Sequence, residues 1–194
     1  MKQKNYAVEL LRCVCCLFVI WLHIPSNSYT SIFVDSALVP IAVPFFYFSS
    51  LTFSLISLKD TNTSSFWKKT ISKLIIPYFF WTLLYSALLW VNQVVLAKQN
   101  DLSWVATLFY GHSAIQLYFI PQLVMMQCCL FAFERLKSSS SKKQLEGAAT
   151  LTAVLVFLTI GYTQNFFGMT PPLALICYIS GTYILRYLSM KDIK

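Results

Sequence analysis

Residues 59–97 read KDTNTSSFWKKTISKLIIPYFFWTLLYSALLWVNQVVLA, and this stretch decides the fold. Four lysines fall in its first part, whereas the run from Leu74 to Ala97 carries no charged side chain. A helix needs about 20 apolar residues to cross the hydrocarbon layer of a bilayer, which is roughly 30 Å thick. The stretch therefore predicts a membrane-spanning helix whose basic flank lies at one membrane surface.

Other apolar runs of similar length occur along the 194 residues. Together they predict six spans, at Ala7 to Ile24, Leu38 to Leu58, Leu74 to Ala97, Ala114 to Phe133, Ala148 to Phe167 and Pro171 to Leu188. Hydrophobic residues make up 57% of the chain and charged residues 11%, against about 25% charged in soluble domains. We predict an all-α, polytopic membrane helix bundle that forms a single integral-membrane domain over residues 1–194, without a soluble domain.

The positive charge is confined to alternate breaks between the spans. Of 15 Lys and Arg, all but Lys98 lie at the chain ends or in every second break. Cytoplasmic loops collect Lys and Arg, whereas translocated loops do not. Both termini are therefore predicted in the cytoplasm. Lys59 to Lys73 would be one cytoplasmic break, and Glu134 to Gly147 a second, flexible and basic one, whereas Lys98 to Ser113 would be an outer loop.

The distribution of positive charge limits the classes of partner that the chain is expected to bind. A net charge of +8 is scattered between the spans, which disfavours nucleic-acid binding and fits anionic lipid headgroups or a phosphorylated small molecule. The six cysteines all lie inside apolar runs, and none has the paired Cys/His spacing of a zinc site. They are interpreted as small packing residues, and no metal site is expected.

Two ionisable residues in the first span form a candidate site. Arg12 and His23 are eleven residues apart, so on an α-helix they differ by about 20° in direction and by about 16 Å along the axis. Glu9 shares this face and can pair with Arg12. Ionisable groups inside a span are costly and indicate function by default. The structural alternative is an interfacial ion pair, with His23 near the outer headgroups.

The basic break contains a second candidate. Lys69 and Lys73 lie on one helical face and could bind phosphate, or they could simply anchor the chain at the cytoplasmic surface. The fourth span opens with Gln116, which is unusual in lipid. Hydrogen bonding within the bundle and the lining of a site both remain open for this residue.

The second span carries FFYFSS at residues 45–50, preceded by Pro40 and Pro44. Two prolines this close weaken a helix, which a membrane protein tolerates where protein or a cavity covers the break. Small hydroxyl side chains such as Ser49 also allow helices to pack closely. Packing and a role in a site are both compatible with this pattern.

Taken in order, these motifs resemble acyltransferase family 3, which comprises bacterial integral-membrane O-acyltransferases of surface polysaccharides, peptidoglycan or lipid-linked sugars. VELLRCVCCLFVIWLH at 8–23 is similar to the family's first-span motif, in which ten residues separate Arg or Lys from His. VPFFYFSS at 43–50 resembles its second-span pattern. FWKKTISKLIIPYFFW at 66–81 and QLYFIPQL at 116–123 resemble its third and fourth landmarks. The resemblance covers roughly residues 5–130.

The resemblance implies a multi-pass enzyme of the inner (plasma) membrane with acyl-CoA, expected to be acetyl-CoA, as donor and a carbohydrate hydroxyl as acceptor. His23 would take the hydroxyl proton or handle the acyl group directly. Arg12 would orient donor phosphate or neutralise developing charge. The remaining implied site residues are Lys69 and Lys73 for the CoA phosphates, and Ser49, Gln116 and Tyr118 for the substrate.

The chain also departs from the family pattern. Ser50 stands where Gly is usual, Lys69 and Lys73 where Arg is frequent, and Gln116 where His is common. Family members usually have more than six spans, so the chain resembles the N-terminal part of a C-terminally short domain. The alternatives are a truncated, non-catalytic relic, a helper subunit whose partner chain supplies further helices, and a small transporter component.

Overall fold

The computed structural model describes residues 6–22, 39–59, 62–96, 103–114, 117–166 and 172–191. Its helices are α1 (Tyr6–Leu22), α2 (Val39–Lys59), α3 (Thr63–Thr70), a π-helical segment (Ile71–Ile75), α4 (Ile76–Leu96), α5 (Trp104–Tyr110), α6 (Phe119–Leu136), α7 (Ser141–Thr163) and α8 (Pro172–Lys191). Within these ranges no strand occurs, so the all-α prediction is confirmed.

Four helical stretches of the described chain are long and apolar enough to cross a membrane. They are Ile41–Leu58, Thr63–Val95, Phe119–Leu136 and Ser141–Thr163. All four overlap predicted spans. The count of six and the cytoplasmic side of both termini stay predictions.

The predicted break from Lys59 to Lys73 is helical from Thr63 onward. Residues 63–96 form one continuous rod in which α3 passes through the π-helical segment into α4. Tertiary packing explains why a basic segment is ordered here. The Phe66 ring stacks on Phe131 of α6 with centroids 4.7 Å apart, and the Thr63 hydroxyl donates to Glu146 Oε2 over 2.9 Å.

The boundary between the predicted outer break and the predicted fourth span lies at a different place in the structure. Helix α5 lies inside the predicted loop, capped by the Ser103 hydroxyl, which accepts from the Ala106 N–H. Gly111, at φ +77°, then ends α5 in the left-handed region, where glycine has no steric penalty. The described residues 111–114 and 117–118 are not helical, and α6 begins at Phe119 rather than Ala114.

The predicted flexible loop between the fourth and fifth spans is instead a tight connection. α6 ends at Leu136 and α7 begins at Ser141, so Lys142 and Lys143 lie in the first turn of a helix. The residues after Ser140 are good helix formers, which explains the early start. At its other end α7 stops in a Schellman motif: the Phe166 N–H donates to Gly161 O over 2.7 Å, with Asn165 at φ 55°.

The chain forms two compact units, each described by itself. One comprises residues 1–52 and 180–194, and the other residues 53–179. In the first unit, Ala42, Tyr47 and Leu51 of α2 are buried. In the second, α6 supplies the core, with Met126 and Leu130 fully buried.

Gly147 sets the distance between α6 and α7. A Cβ at this position would lie 2.9 Å from Ala132 O and 3.0 Å from Arg135 Cβ. Since the carbonyl belongs to helical backbone, it cannot move aside as a flexible side chain could. The close approach of these antiparallel helices therefore depends on the missing side chain.

We expect Gly147→Leu to force α6 and α7 apart and to destabilise the fold by about 1–3 kcal/mol, the usual range for overpacking. Thermal unfolding in detergent, followed by a thiol-reactive dye, measures this because Cys128 and Cys129 of α6 are buried. Ala148→Leu is the matched control, since Ala148 is exposed. Equal melting temperatures for both variants would contradict the prediction.

Candidate functional site

Arg12 lies in the middle of α1 and is half-buried. His23, the predicted proton acceptor, lies outside the described residues, as does Gln116. Ser49 is half-buried in α2, where its hydroxyl donates to Phe46 O over 3.2 Å. This bond leaves the Ser49 oxygen able to accept a further hydrogen bond. The side chain can therefore still accept a hydrogen bond from a hydroxyl or N–H group of a substrate.

Lys69 and Lys73 are both exposed on the rod. Four residues apart on a continuous helix, they point in directions that differ by no more than about 40°. Lys69 lies in the last turn of α3 and Lys73 lies in the π-helical segment. π-Helical turns often occur at functional sites, and two ammonium groups on one face can hold a polyphosphate.

Further basic side chains gather at this end of the second unit. The α6–α7 hairpin brings Arg135 and Lys142 to the same end as α3, which is held there by the Thr63–Glu146 hydrogen bond. The Arg135 guanidinium lies 5.0 Å from the centre of the Phe131 ring, a cation–π contact. Basic residues from segments far apart in sequence thus lie toward the same end of the unit.

Tyr118 is at the opposite end of this unit. It is half-buried immediately before α6, and burial raises the pKa of its phenol above the ordinary value. Phe131, which marks the level of Phe66 near the basic end, is thirteen residues later, or about 20 Å along the helix axis. Tyr118 and Lys69 therefore belong to different ends of the unit and cannot contact the same small group.

Sequence reasoning missed an aromatic corner near Tyr118. The Tyr110 ring stacks on Phe157 with centroids 4.5 Å apart, and its hydroxyl donates to Phe157 O over 2.8 Å. His112 Nε2 lies 2.9 Å from Phe166 O. These contacts fasten α5 to the end of α7, and the Gly-His pair at 111–112, directly after an aromatic residue, was the available signal.

The corner contains buried polar groups as well. Thr107, Ser113 and Gln122 are all buried, and the Ser113 hydroxyl has no hydrogen-bond partner among the described residues. Burying a hydroxyl without a partner is costly, so Ser113 is an unfavourable feature at this end of the unit. Among the same residues, no group of three His, Cys, Asp or Glu side chains could hold a metal ion.

Comparison with known proteins identifies the family. A family model described as an acyltransferase domain, of the acyltransferase 3 type, matches residues 5–193. The match thus continues beyond the motifs at 5–130 and includes α7 and α8. No curated protein and no solved structure gives a significant match. Since the matched region covers nearly all of the sequence, the chain belongs to acyltransferase family 3.

Proposed function

We propose that this membrane protein moves an acyl group, expected to be acetyl, from acyl-CoA to a hydroxyl of a cell-surface or lipid-linked carbohydrate. The family match over residues 5–193 carries this proposal. It supports a membrane acyltransferase in general. The donor, the acceptor and a multi-pass location in the inner membrane complete the proposal.

The proposed reaction is a direct acyl transfer. The acceptor oxygen bonds to the thioester carbonyl carbon while the carbon–sulfur bond breaks. His23 accepts the hydroxyl proton as general base and returns it to the leaving thiolate. Arg12 neutralises negative charge on the donor phosphates or at the reacting carbonyl, a role that suits a guanidinium because it stays protonated.

The two ends of the second unit suit two different substrates. The exposed Lys69 and Lys73 would bind the CoA phosphates. Tyr118, at the other end, would contact the acceptor, because a phenol can both donate and accept hydrogen bonds to sugar hydroxyls. Ser49 and Gln116 stay separate predicted substrate contacts. Separate donor and acceptor regions fit an enzyme that takes its donor from one side of a membrane.

Removing both lysine charges tests the donor site. We expect Lys69→Gln/Lys73→Gln to raise KM for acyl-CoA about three- to tenfold with little change in kcat, because exposed ion pairs each contribute modestly. Initial rates at varied acyl-CoA concentration measure this. Lys137→Gln is the control, since Lys137 is exposed at the same end and pairs with Glu134 at 3.7 Å. Unchanged KM in the double variant would remove these lysines from the donor site.

The overall function needs a test of its own. Expression in a strain that lacks the cognate transferase should restore ester-linked acyl groups on the envelope glycan, measured after mild alkaline release. Absence of acyl groups from cells that contain folded protein would contradict catalysis by this chain alone.

A helper subunit remains the second candidate, because much of the surface of the rod at residues 63–96 is exposed. Only 11% of the most apolar part of the Thr63–Val95 stretch is buried, against 56% of Phe119–Leu136. Lipid or the helices of a partner chain could cover that surface. Co-purification of a second hydrophobic chain, and activity only in its presence, would favour the helper subunit over the autonomous enzyme.

A further inference from the structure

The second unit contains an apolar cavity of about 580 Å³ that is open on one side. Its wall includes Trp67 and Ile75 of the rod, Val124 of α6 and Ala153 of α7. This volume lies within the range of about 300–1,000 Å³ typical of small-molecule sites. The cavity is therefore large enough for a substantial part of a hydrocarbon chain.

The few hydroxyl groups in the wall already have acceptors. Thr150 donates to Glu146 O over 2.8 Å, and Tyr78 donates to Leu108 O over 3.0 Å. A polar ligand would lose its hydration on entering and find few partners in return. The chemistry of the wall thus favours a hydrocarbon occupant.

One side of the cavity is accessible from outside the unit. Phe109 is 54% exposed, and Ala149 and Ala153 of α7 are exposed as well. Ala149 and Ala153 belong to the Ser141–Thr163 stretch, which is long and apolar enough to cross a bilayer. An acyl tail can therefore enter sideways without crossing water.

Positive charge borders the same face of α7. Lys142 precedes Ala149 by seven residues, so it points within about 20° of the same direction and lies about 10 Å along the axis. Lys143 is its neighbour, and both are exposed. Glu146, one turn further along α7, accepts a hydrogen bond from the Thr63 hydroxyl. On the rod, Lys68 directly follows Trp67, which lines the cavity. The end of the cavity toward the start of α7 is thus basic.

We propose that the cavity holds one acyl tail of an anionic phospholipid, with Lys142 and Lys143 binding its phosphate. The tail gains packing contacts along the cavity wall. Selectivity comes from the headgroup, because basic residues at a membrane surface attract anionic lipids. The proposal does not depend on acyl transfer, since it concerns a resident lipid.

Native mass spectrometry of the full chain tests the proposal. Delipidated protein is offered phosphatidylglycerol or phosphatidylcholine with identical tails. We expect one retained phosphatidylglycerol, loss of that lipid in Ala153→Trp, and retention in Ala148→Trp, whose new side chain lies away from the cavity. Lys142→Gln/Lys143→Gln should reduce the preference for phosphatidylglycerol about fivefold per lysine.

Each other outcome overturns part or all of the proposal. Equal retention of phosphatidylglycerol by Ala153→Trp and the unchanged protein would place the lipid elsewhere, and retention of detergent alone would exclude a lipid site. Equal binding of the two lipids by the unchanged protein would exclude selection of an anionic head. If Ala153→Trp unfolds, the lysine variant at exposed positions decides, since an unchanged lipid preference there refutes the headgroup site.

Discussion

Replacing His23 with alanine is expected to lower the rate of acyl transfer about 10²- to 10⁴-fold, the usual contribution of a general base. The loss should appear in kcat, with KM for acyl-CoA little changed, because the imidazole acts on the acceptor proton. A histidine base works in its neutral form.

His112→Ala is the matched control, because the chain contains only these two histidines. His112 contacts Phe166 O at the end of α7, so its loss should affect stability more than the chemical step. Purified variants with equal amounts of folded protein are compared at saturating acyl-CoA. Full activity in His23→Ala would exclude His23 as the base, and selective loss of kcat in His112→Ala would transfer that role to His112.

Variants of Arg12 distinguish its two possible roles, which are binding of donor phosphate and stabilisation of charge at the reacting carbonyl. If Arg12 acts on donor phosphate, Arg12→Lys should retain much of the activity that Arg12→Ala loses, because a point charge survives. A lysine cannot reproduce the planar fork of a guanidinium, so equal losses in both variants would indicate a geometric requirement at the reacting carbonyl.

The helical architecture could be predicted because apolar length is a local property of sequence. Residues 74–97 must be helical in a membrane whatever their neighbours are, since every backbone polar group needs an internal partner there. The same reasoning placed α2 and most of α6 correctly. Family membership was also predictable, because the Arg12–His23 spacing and the motifs at 43–50, 66–81 and 116–123 occur in order.

Features that depend on tertiary contacts could not be predicted. Helix α3 forms in a basic segment because Phe66 stacks on Phe131, 65 positions away in sequence. Helix α5 has only seven residues, too few for a clear helical period. In the candidate site, the contact between His112 and Phe166 links positions 54 residues apart, and no local pattern specifies that pairing.

The turn between α5 and α6 is expected to be the most sensitive point of the second unit. Gly111 has φ +77°, and a Cβ there would lie 2.6 Å from both Leu117 C and Tyr118 N. Both atoms belong to the backbone that leads into α6. An added methyl group would therefore strain residue 111. It would also displace Tyr118, which we propose contacts the carbohydrate acceptor.

We expect Gly111→Ala to destabilise the protein by about 2–5 kcal/mol, combining about 1–2 kcal/mol for a left-handed non-glycine residue with about 1–3 kcal/mol for overpacking. Dye labelling of Cys128 and Cys129 during heating measures the change. Gly181→Ala is the control, because its Cβ would meet only the Phe48 ring, at 2.7 Å, and a side chain can turn away. If Gly111→Ala has the same melting temperature as the unchanged protein, close backbone packing against Leu117 does not determine the stability of this turn.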